Sequence, residues 1–397
     1  MEAVVEKILH GMSSVNRPQR TFIAGLLAVL MVFHGKANFR NLSRYCGMHE
    51  KRFSRWYRRP FDFVTFNREL LGTELPAGTE RIAAIDASFL RKSGKHTEGL
   101  GWFYQGQSGR AEKGLEVSLV CVVDLRANTA YSLDARQTLD DDETTRVDSY
   151  ADQIRRLSCQ LKAMGIRHVA ADAYYSKVKF IDAVRGEALD LIGKLRVDAH
   201  LLWPYSGSYA GKGRPRKYGG KVDLHADLAR FEAQGDQGDG VHAYSAVVWV
   251  KAFKRKVKLV LLRWEVAGKV GHALLYSTDL TLSAQQIIAR YQARFQIEFL
   301  FRDSKQFTGL MDCQARSREA IHTHLNAALT ALNLIKLEDR RVQNADRPVV
   351  ISIASWRRRK CNENLMDRLF EQLGLDRSCE KVKQVYDEFR DYGAIAA

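Results

Sequence analysis

Residues 283–305 read SAQQIIARYQARFQIEFLFRDSK. Taken as one helix, this stretch places Tyr291, Arg294, Glu298, Arg302 and Lys305 within an arc of about 80°, because residues three, four and seven apart share a helix face. Phe295, Ile297, Phe299, Leu300 and Phe301 spread over the rest of the circumference. A helix that is apolar on most sides is expected to be largely buried, so its single polar stripe should face something polar. The alternative is an exposed face held by i,i+4 ion pairs, Arg294 with Glu298 and Glu298 with Arg302.

Two aspartates elsewhere favour a site. Asp86 lies inside the apolar run IAAIDASFL, where a carboxylate is expensive unless it is paired or bound to a metal. Asp172 ends HVAAD, at the C-terminal edge of an expected strand, which is where α/β active sites form. A helix N-cap would also explain Asp172, but Ser176 is better placed to cap the helix that follows. Asp124 ends a third apolar run and is explained as a turn residue before residues 125–129. Asp86, Asp172 and Glu298, on two strands and one helix, form a set of acids able to converge on one or two divalent cations.

Around these residues the chain divides into five parts. Residues 1–76 read as a helical domain. Within it, residues 38–59 (NFRNLSRYCGMHEKRFSRWYRR) split into two short helices about Cys46-Gly47-Met48. The second carries Phe53, Trp56 and Tyr57 on one side and Lys51, Arg52, Arg55, Arg58 and Arg59 elsewhere, the pattern of a helix-turn-helix or of a hairpin with a solvated basic face. Residues 77–197 give strands at 81–90, 115–124 and 129–135, with a Gly-rich basic loop at 91–114. A helix at 146–164, a strand at 167–171 and a helix from about 176 follow, an α/β order. Residues 198–280 form a β-rich insertion with strands at 242–253, 257–266 and 272–277, residues 281–340 resume the core as helices, and 341–397 form a C-terminal helical region.

Charge narrows the partner. There are 62 Lys+Arg against 46 Asp+Glu, a net charge of +16, which points to nucleic acid first and a membrane surface second. A hydrophobic content of 46% with 6 Pro excludes a disordered basic tail. The longest apolar run, residues 22–33, falls well short of the ~20 residues that span a bilayer, and residues 1–11 lack the basic and small-residue features of a secretory signal. Six scattered cysteines with no C-x-x-C pair suit a reducing cytosol. Residues 207–212 miss the P-loop spacing, no H-E-x-x-H occurs, and His322 and His324, at i,i+2 on a helix, point apart. The acidic run 140–143 reads as favourable charge near the start of a helix.

Tyr291-x2-Arg294-x3-Glu298-x6-Lys305 resembles, with every spacing kept, the Y-x2-R-x3-E-x6-K signature of bacterial insertion-sequence transposases of the "insertion sequence four" type. The resemblance covers about residues 80–340. It implies an α/β, ribonuclease-H-like DDE catalytic core interrupted by a β-rich insertion, with Asp86, Asp172 and Glu298 as catalytic residues and metal ligands. Two Mg²⁺ per site are implied, or Mn²⁺ in their place, because hard ions take carboxylate oxygens. Arg294 and Lys305 would hold DNA phosphates, Tyr291 a terminal phosphate or simply packing beneath the site, and Arg302, outside the signature, a further phosphate. Arg52 and Arg55 would contact DNA from the helix-turn-helix. Basic clusters at 212–221, 251–258 and 357–360 are candidate DNA surface or plain solvated charge, and Trp203, Trp249 and Trp264 are candidates to stack on a flipped base. The expected partners are double-stranded DNA (transposon ends and target) and a second copy of the chain, a homodimer, in a nucleoid-associated cytoplasmic protein. A repressor without catalysis and a domesticated nuclease are the rival expectations. Three buried acids on a DNA surface would only weaken a pure binder.

Overall fold

The structure is a computed structural model, and it describes all residues except 107, 140–143, 210, 212, 267, 343–351, 377 and 396–397. The acidic run 140–143 and Lys212 of the first basic cluster therefore lie outside the described residues.

Five helices come first: α1 (Glu2–Gly11), α2 (Arg17–Val32), α3 (Phe39–Tyr45), α4 (Glu50–Trp56) and α5 (Phe63–Glu74). Their starts follow local chemistry. The Asn16 side chain accepts the Gln19 amide at 3.0 Å and Asn38 accepts that of Asn41 at 2.8 Å, each satisfying an amide the helix leaves unpaired. On α4, Phe53 and Trp56 are buried, with Tyr57 just beyond it, and Trp56 stacks on Phe22 of α2 at 5.8 Å. Lys51, Arg55, Arg58 and Arg59 stay exposed and Arg52 is half-buried.

The strands and helices that follow are β1 (Arg81–Arg91), β2 (Gly101–Gln105), β3 (Arg110–Asp124), β4 (Thr129–Thr138), α6 (Arg146–Ala163), β5 (His168–Ala170), α7 (Val178–Gly186), β6 (Asp190–Leu195), β7 (Leu201–Pro204), β8 (Tyr218–Lys221), β9 (Glu232–Asp236), β10 (His242–Val250), β11 (Arg255–Val266) and β12 (Lys269–Ser277). They form one mixed 12-stranded sheet in the order β2-β3-β1-β5-β6-β12-β11-β10-β7-β8, with β4 on β3 and β9 on β10. The β1–β5 and β5–β6 pairs are parallel, joined through α6 and α7 as parallel neighbours require. One expectation changes here. The Gly-rich segment 91–114 is not a simple loop, because β2 pairs with the start of β3 as a hairpin. The strands of the β-rich segment 198–280 continue the sheet of the core, with β12 pairing antiparallel with β6 from Leu274–Leu195 to Ser277–Ile192.

Helices α8 (Ala284–Ala293), α9 (Gln296–Phe307), α10 (Arg318–Val342), α11 (Ile353–Leu373) and α12 (Glu380–Arg390) complete the chain. Ser283 and Gln286 form a capping box at the start of α8. The single helix expected over 283–305 is two. At the junction the Arg294 amide bonds to the Tyr291 carbonyl at 3.2 Å and that of Phe295 to Gln292 at 3.0 Å, so one turn tightens to three residues. Nor is the helix buried on most sides: Ile297, Leu300 and Phe301 are, but Phe295 and Phe299 are exposed.

Helix α10 is the centre of the core and is apolar nearly all round, from Ile321 to Leu337. Two of its buried polar residues, Asn326 and Asn333, make specific contacts with β4. The amide of Asn326 exchanges two bonds with the Ala135 backbone, at 2.9 and 2.8 Å, and that of Asn333 does the same with Ser132 at 2.8 Å each. Seven helical residues and three strand residues both span about 10 Å, and the register shift that leaves Leu133 as an extra residue turns the Ser132 and Ala135 backbone groups to the same edge of β4. Asn67 of α5 joins this network, accepting from Thr330 and Asn333 and donating to Leu133. Asp124 accepts the turn amides of Arg126 and Ala127, as expected, and is also paired in the interior with Arg340 at 2.8 Å.

Candidate active site

The site begins with strand register. Ala83 and Ala84 of β1 lie opposite Val169 and Ala170 of β5 in parallel. Continued two residues further, that register sets Asp86 level with Asp172 on chains about 4.8 Å apart. Apolar residues force this placement: Ile82 to Ile85 and Val169 to Ala171 are fully buried, and each aspartate falls where its strand leaves the core.

Asp172 departs from expectation in one respect. Its side chain caps a short 3₁₀ turn, Ala173–Tyr175, accepting the Tyr174 amide at 2.8 Å. Ser176 caps nothing; its hydroxyl donates to the Lys194 carbonyl at 2.8 Å, and α7 starts without a side-chain cap. One oxygen of Asp172 therefore has a backbone role in addition to any role at the site.

The third acid arrives through arginine. Arg294, at the tightened turn, is only 5% exposed, and its guanidinium meets Asp86 at 3.5 Å and Glu298 at 3.3 Å. The i,i+4 pair foreseen on an exposed face thus exists, but its arginine is buried and shared with the strand carboxylate. Asp86 is held mainly by the Ala87 amide, at 2.9 Å, and by this arginine. Burial, Asp172 and Glu298 together outweigh these two and push its carboxyl up to about 6.

The other signature residues surround this group. Lys305 is half-buried and donates to Ser88 Oγ at 2.7 Å and to the Phe89 carbonyl, tying α9 to the end of β1; burial lowers its pKa. Tyr291 is half-buried, with the Arg294 guanidinium 5.6 Å from its ring centre. Arg302 is exposed, pairs with Asp303 at 2.9 Å and covers Phe299. Arg52 and Arg55 stand apart from this cluster, on α4.

Among the three tryptophans, Trp203 is buried and donates to Asp227 at 2.7 Å, a packing role, while Trp249 and Trp264 are half-buried. The cluster at 357–360 is largely committed within the chain: Arg357 donates to the carbonyls of Phe33 and Phe307, Arg359 pairs with Asp391, and Lys360 with Glu338 and Glu363.

Sequence reasoning missed Tyr175, which is fully buried with its hydroxyl unpartnered among the described residues. Burial raises its pKa, and Asp86 and Asp172 add to the rise. It also missed Glu116, which accepts from the Tyr150 hydroxyl and pairs with Arg146 at 3.3 Å. Its signal was present as a carboxylate inside the apolar run 115–124.

The Transposase DDE domain family matches residues 77–334, well over half of the chain and the whole span that carries these acids. The chain belongs to this family. Comparison with curated proteins finds no match. For a transposase DDE domain the donor set is chemically apt: Asp86 and Asp172 are hard oxygen donors whose mutual repulsion a cation would relieve. Glu298 is held by Arg294, and among the described residues no three His, Cys, Asp or Glu side chains are gathered closely enough to hold an ion as they stand. No described helix is long and apolar enough to cross a membrane.

Proposed function

We propose that this protein is a DNA transposase of the "insertion sequence four" type, with a ribonuclease-H-like core, that binds the ends of its own element and performs cut-and-paste transposition. The observation that carries this reading is the parallel β1–β5 register, which continued two residues past its last pair brings Asp172 level with Asp86, with Glu298 linked to Asp86 through one buried arginine. In the reaction an oxygen nucleophile, water for cleavage and a DNA 3′-hydroxyl for strand transfer, attacks a backbone phosphorus. The opposite phosphorus–oxygen bond breaks, and the leaving oxygen takes up a proton.

Asp86, Asp172 and Glu298 are the residues that would hold Mg²⁺ or Mn²⁺. Two such ions would activate the attacking oxygen and stabilise the leaving one. The protein's own part is electrostatic. Above about pH 6 Asp86 is ionised, and the three carboxylates then carry more negative charge than Arg294 alone offsets. Arg294 holds Asp86 and Glu298 together in the metal-free protein, and if bound cations took over that charge, its guanidinium would be free to bond a phosphate oxygen. Lys305 fixes the end of β1 and contributes positive charge beside the cut. Arg52 and Arg55 on α4 would hold the transposon end, in a DNA-bound homodimer of a nucleoid-associated cytoplasmic protein.

Asp172→Asn and Glu298→Gln should each lower Mg²⁺-dependent cleavage of a duplex carrying the element's ends by about 10²-fold or more. Metal-free duplex binding should stay within about twofold of wild type. Full cleavage by either variant would refute the proposal and leave a non-catalytic DNA-binding protein as the better account.

A further inference from the structure

We propose that the β2–β3 hairpin is a base-stacking platform for an unpaired stretch of the DNA strand beside the cut, an inference that rests on the DNA-cutting function above. Trp102 and Tyr104 are 62% and 61% exposed. They alternate along β2 with buried Gly101, Phe103 and Gln105, so both rings stand on one face of the strand, about 7 Å apart. That is twice the ~3.4 Å that one nucleotide occupies along a strand, leaving room for one planar base between them. Neither ring packs on another ring among the described residues. Opposite Trp102 is Lys113, and opposite Tyr104 is Ala111, which is too small to cover it.

The other face of the hairpin is fully engaged, so the two rings are not needed to hold it. Phe103 is completely buried, Arg146 lies over its ring at 5.2 Å, and the same guanidinium donates to the Trp102 carbonyl and pairs with Glu116. Surface charge selects the occupant. Residues 91–114 hold five Lys or Arg against two Glu, and aromatic faces set in positive charge are the recognition chemistry of single-stranded nucleic acid. Position agrees as well. Arg91 at the end of β1 and Gly101 of β2 both pair with Gly114, and along β3 the partners of Trp102 and Tyr104 lie six and eight residues from the partner of Asp86, or about 20 and 27 Å. A strand leaving the carboxylates would reach the rings after about six to eight nucleotides.

The test uses the full-length protein without divalent metal, with fluorescence anisotropy of a labelled 20-nucleotide oligothymidylate and of the same backbone with abasic sugars. Trp102→Ala and Tyr104→Ala should each weaken oligothymidylate binding about tenfold, while Trp102→Phe retains most of the affinity. On the abasic probe Trp102→Ala should equal wild type. Lys113→Ala should reduce the salt slope by about 0.7 where Trp102→Ala leaves it unchanged. The proposal is overturned if Trp102→Ala binds oligothymidylate as wild type does or loses equally on both probes. It is also overturned if the variant alters the sedimentation of the protein, which would mark the hairpin as a contact between protein chains. Loss of cleavage in Asp172→Asn alongside any of these overturning results would leave the catalytic proposal standing by itself.

Discussion

Replacing Asp86 with Asn should make the metal-free protein more stable and inactive at once. The Asp86 carboxyl titrates at about 6 in the folded chain against an ordinary 3.8. For an acid whose folded pKa is raised, the folded state prefers the proton. The cost of ionisation is therefore fully present above about pH 6 and vanishes as pH falls toward 4. At about 1.4 kcal/mol per pH unit the full cost is up to about 3 kcal/mol. Asn keeps a carbonyl oxygen for the Ala87 amide but removes the charge that burial, Asp172 and Glu298 oppose. A chain of 397 residues has an unfolding entropy of about 0.8 kcal/mol/K, so Asp86→Asn should raise Tm by up to about 4 °C at pH 7.5 and leave it unchanged near pH 4. Calorimetry at the two pH values, with and without Mg²⁺, is the assay. Mg²⁺ should raise the Tm of wild type and not of the variant, since only the former gains a ligand in its folded state. A variant no more stable than wild type at pH 7.5, or equally stabilised at both pH values, would refute the account of Asp86 as a carboxylate held against its own preference.

Two further outcomes follow from the packing. Asn333→Leu leaves the Ser132 amide and carbonyl buried and unpaired and strips a donor from Asn67, so it should cost about 3–5 kcal/mol and lower Tm by about 4–6 °C; a change under 1 °C would contradict the network. Arg52→Ala with Arg55→Ala should weaken binding to transposon ends and lower the slope of log K against log salt by up to about 1.8, and an unchanged slope would return α4 to an ordinary solvated surface.

The site was more legible in the sequence than the fold around it. Asp86 and Asp172 stood out because a carboxylate inside or at the end of an apolar run is costly, and the family spacing brought Glu298 to them. The tightened turn at Arg294 was not visible, because an i→i−3 turn keeps right-handed dihedrals and leaves no Gly or Pro as a mark. The Arg294–Glu298 pair was legible from its i,i+4 spacing, but not that the arginine is buried and shared with Asp86. β6 passed unread because DLIGKL does not alternate: Leu191, Ile192 and Gly193 are buried in a row. The joining of β12 to β6 escaped for another reason: which strand edge accepts an insertion depends on contacts 80 residues apart, and local pattern carries none of that.

The Asn67–Thr330–Asn333 cluster has a further consequence for how the protein works as a whole. The family match begins at residue 77, yet Asn67 lies before that point and supplies part of the interior of the matched region. The family boundary is thus no folding boundary. The N-terminal helices are clamped to the sheet by buried amides and do not swing on a tether. DNA gripped by α4 would meet the carboxylates at a separation built into the core, so the protein would measure the distance from recognition to cut as a rigid gauge does.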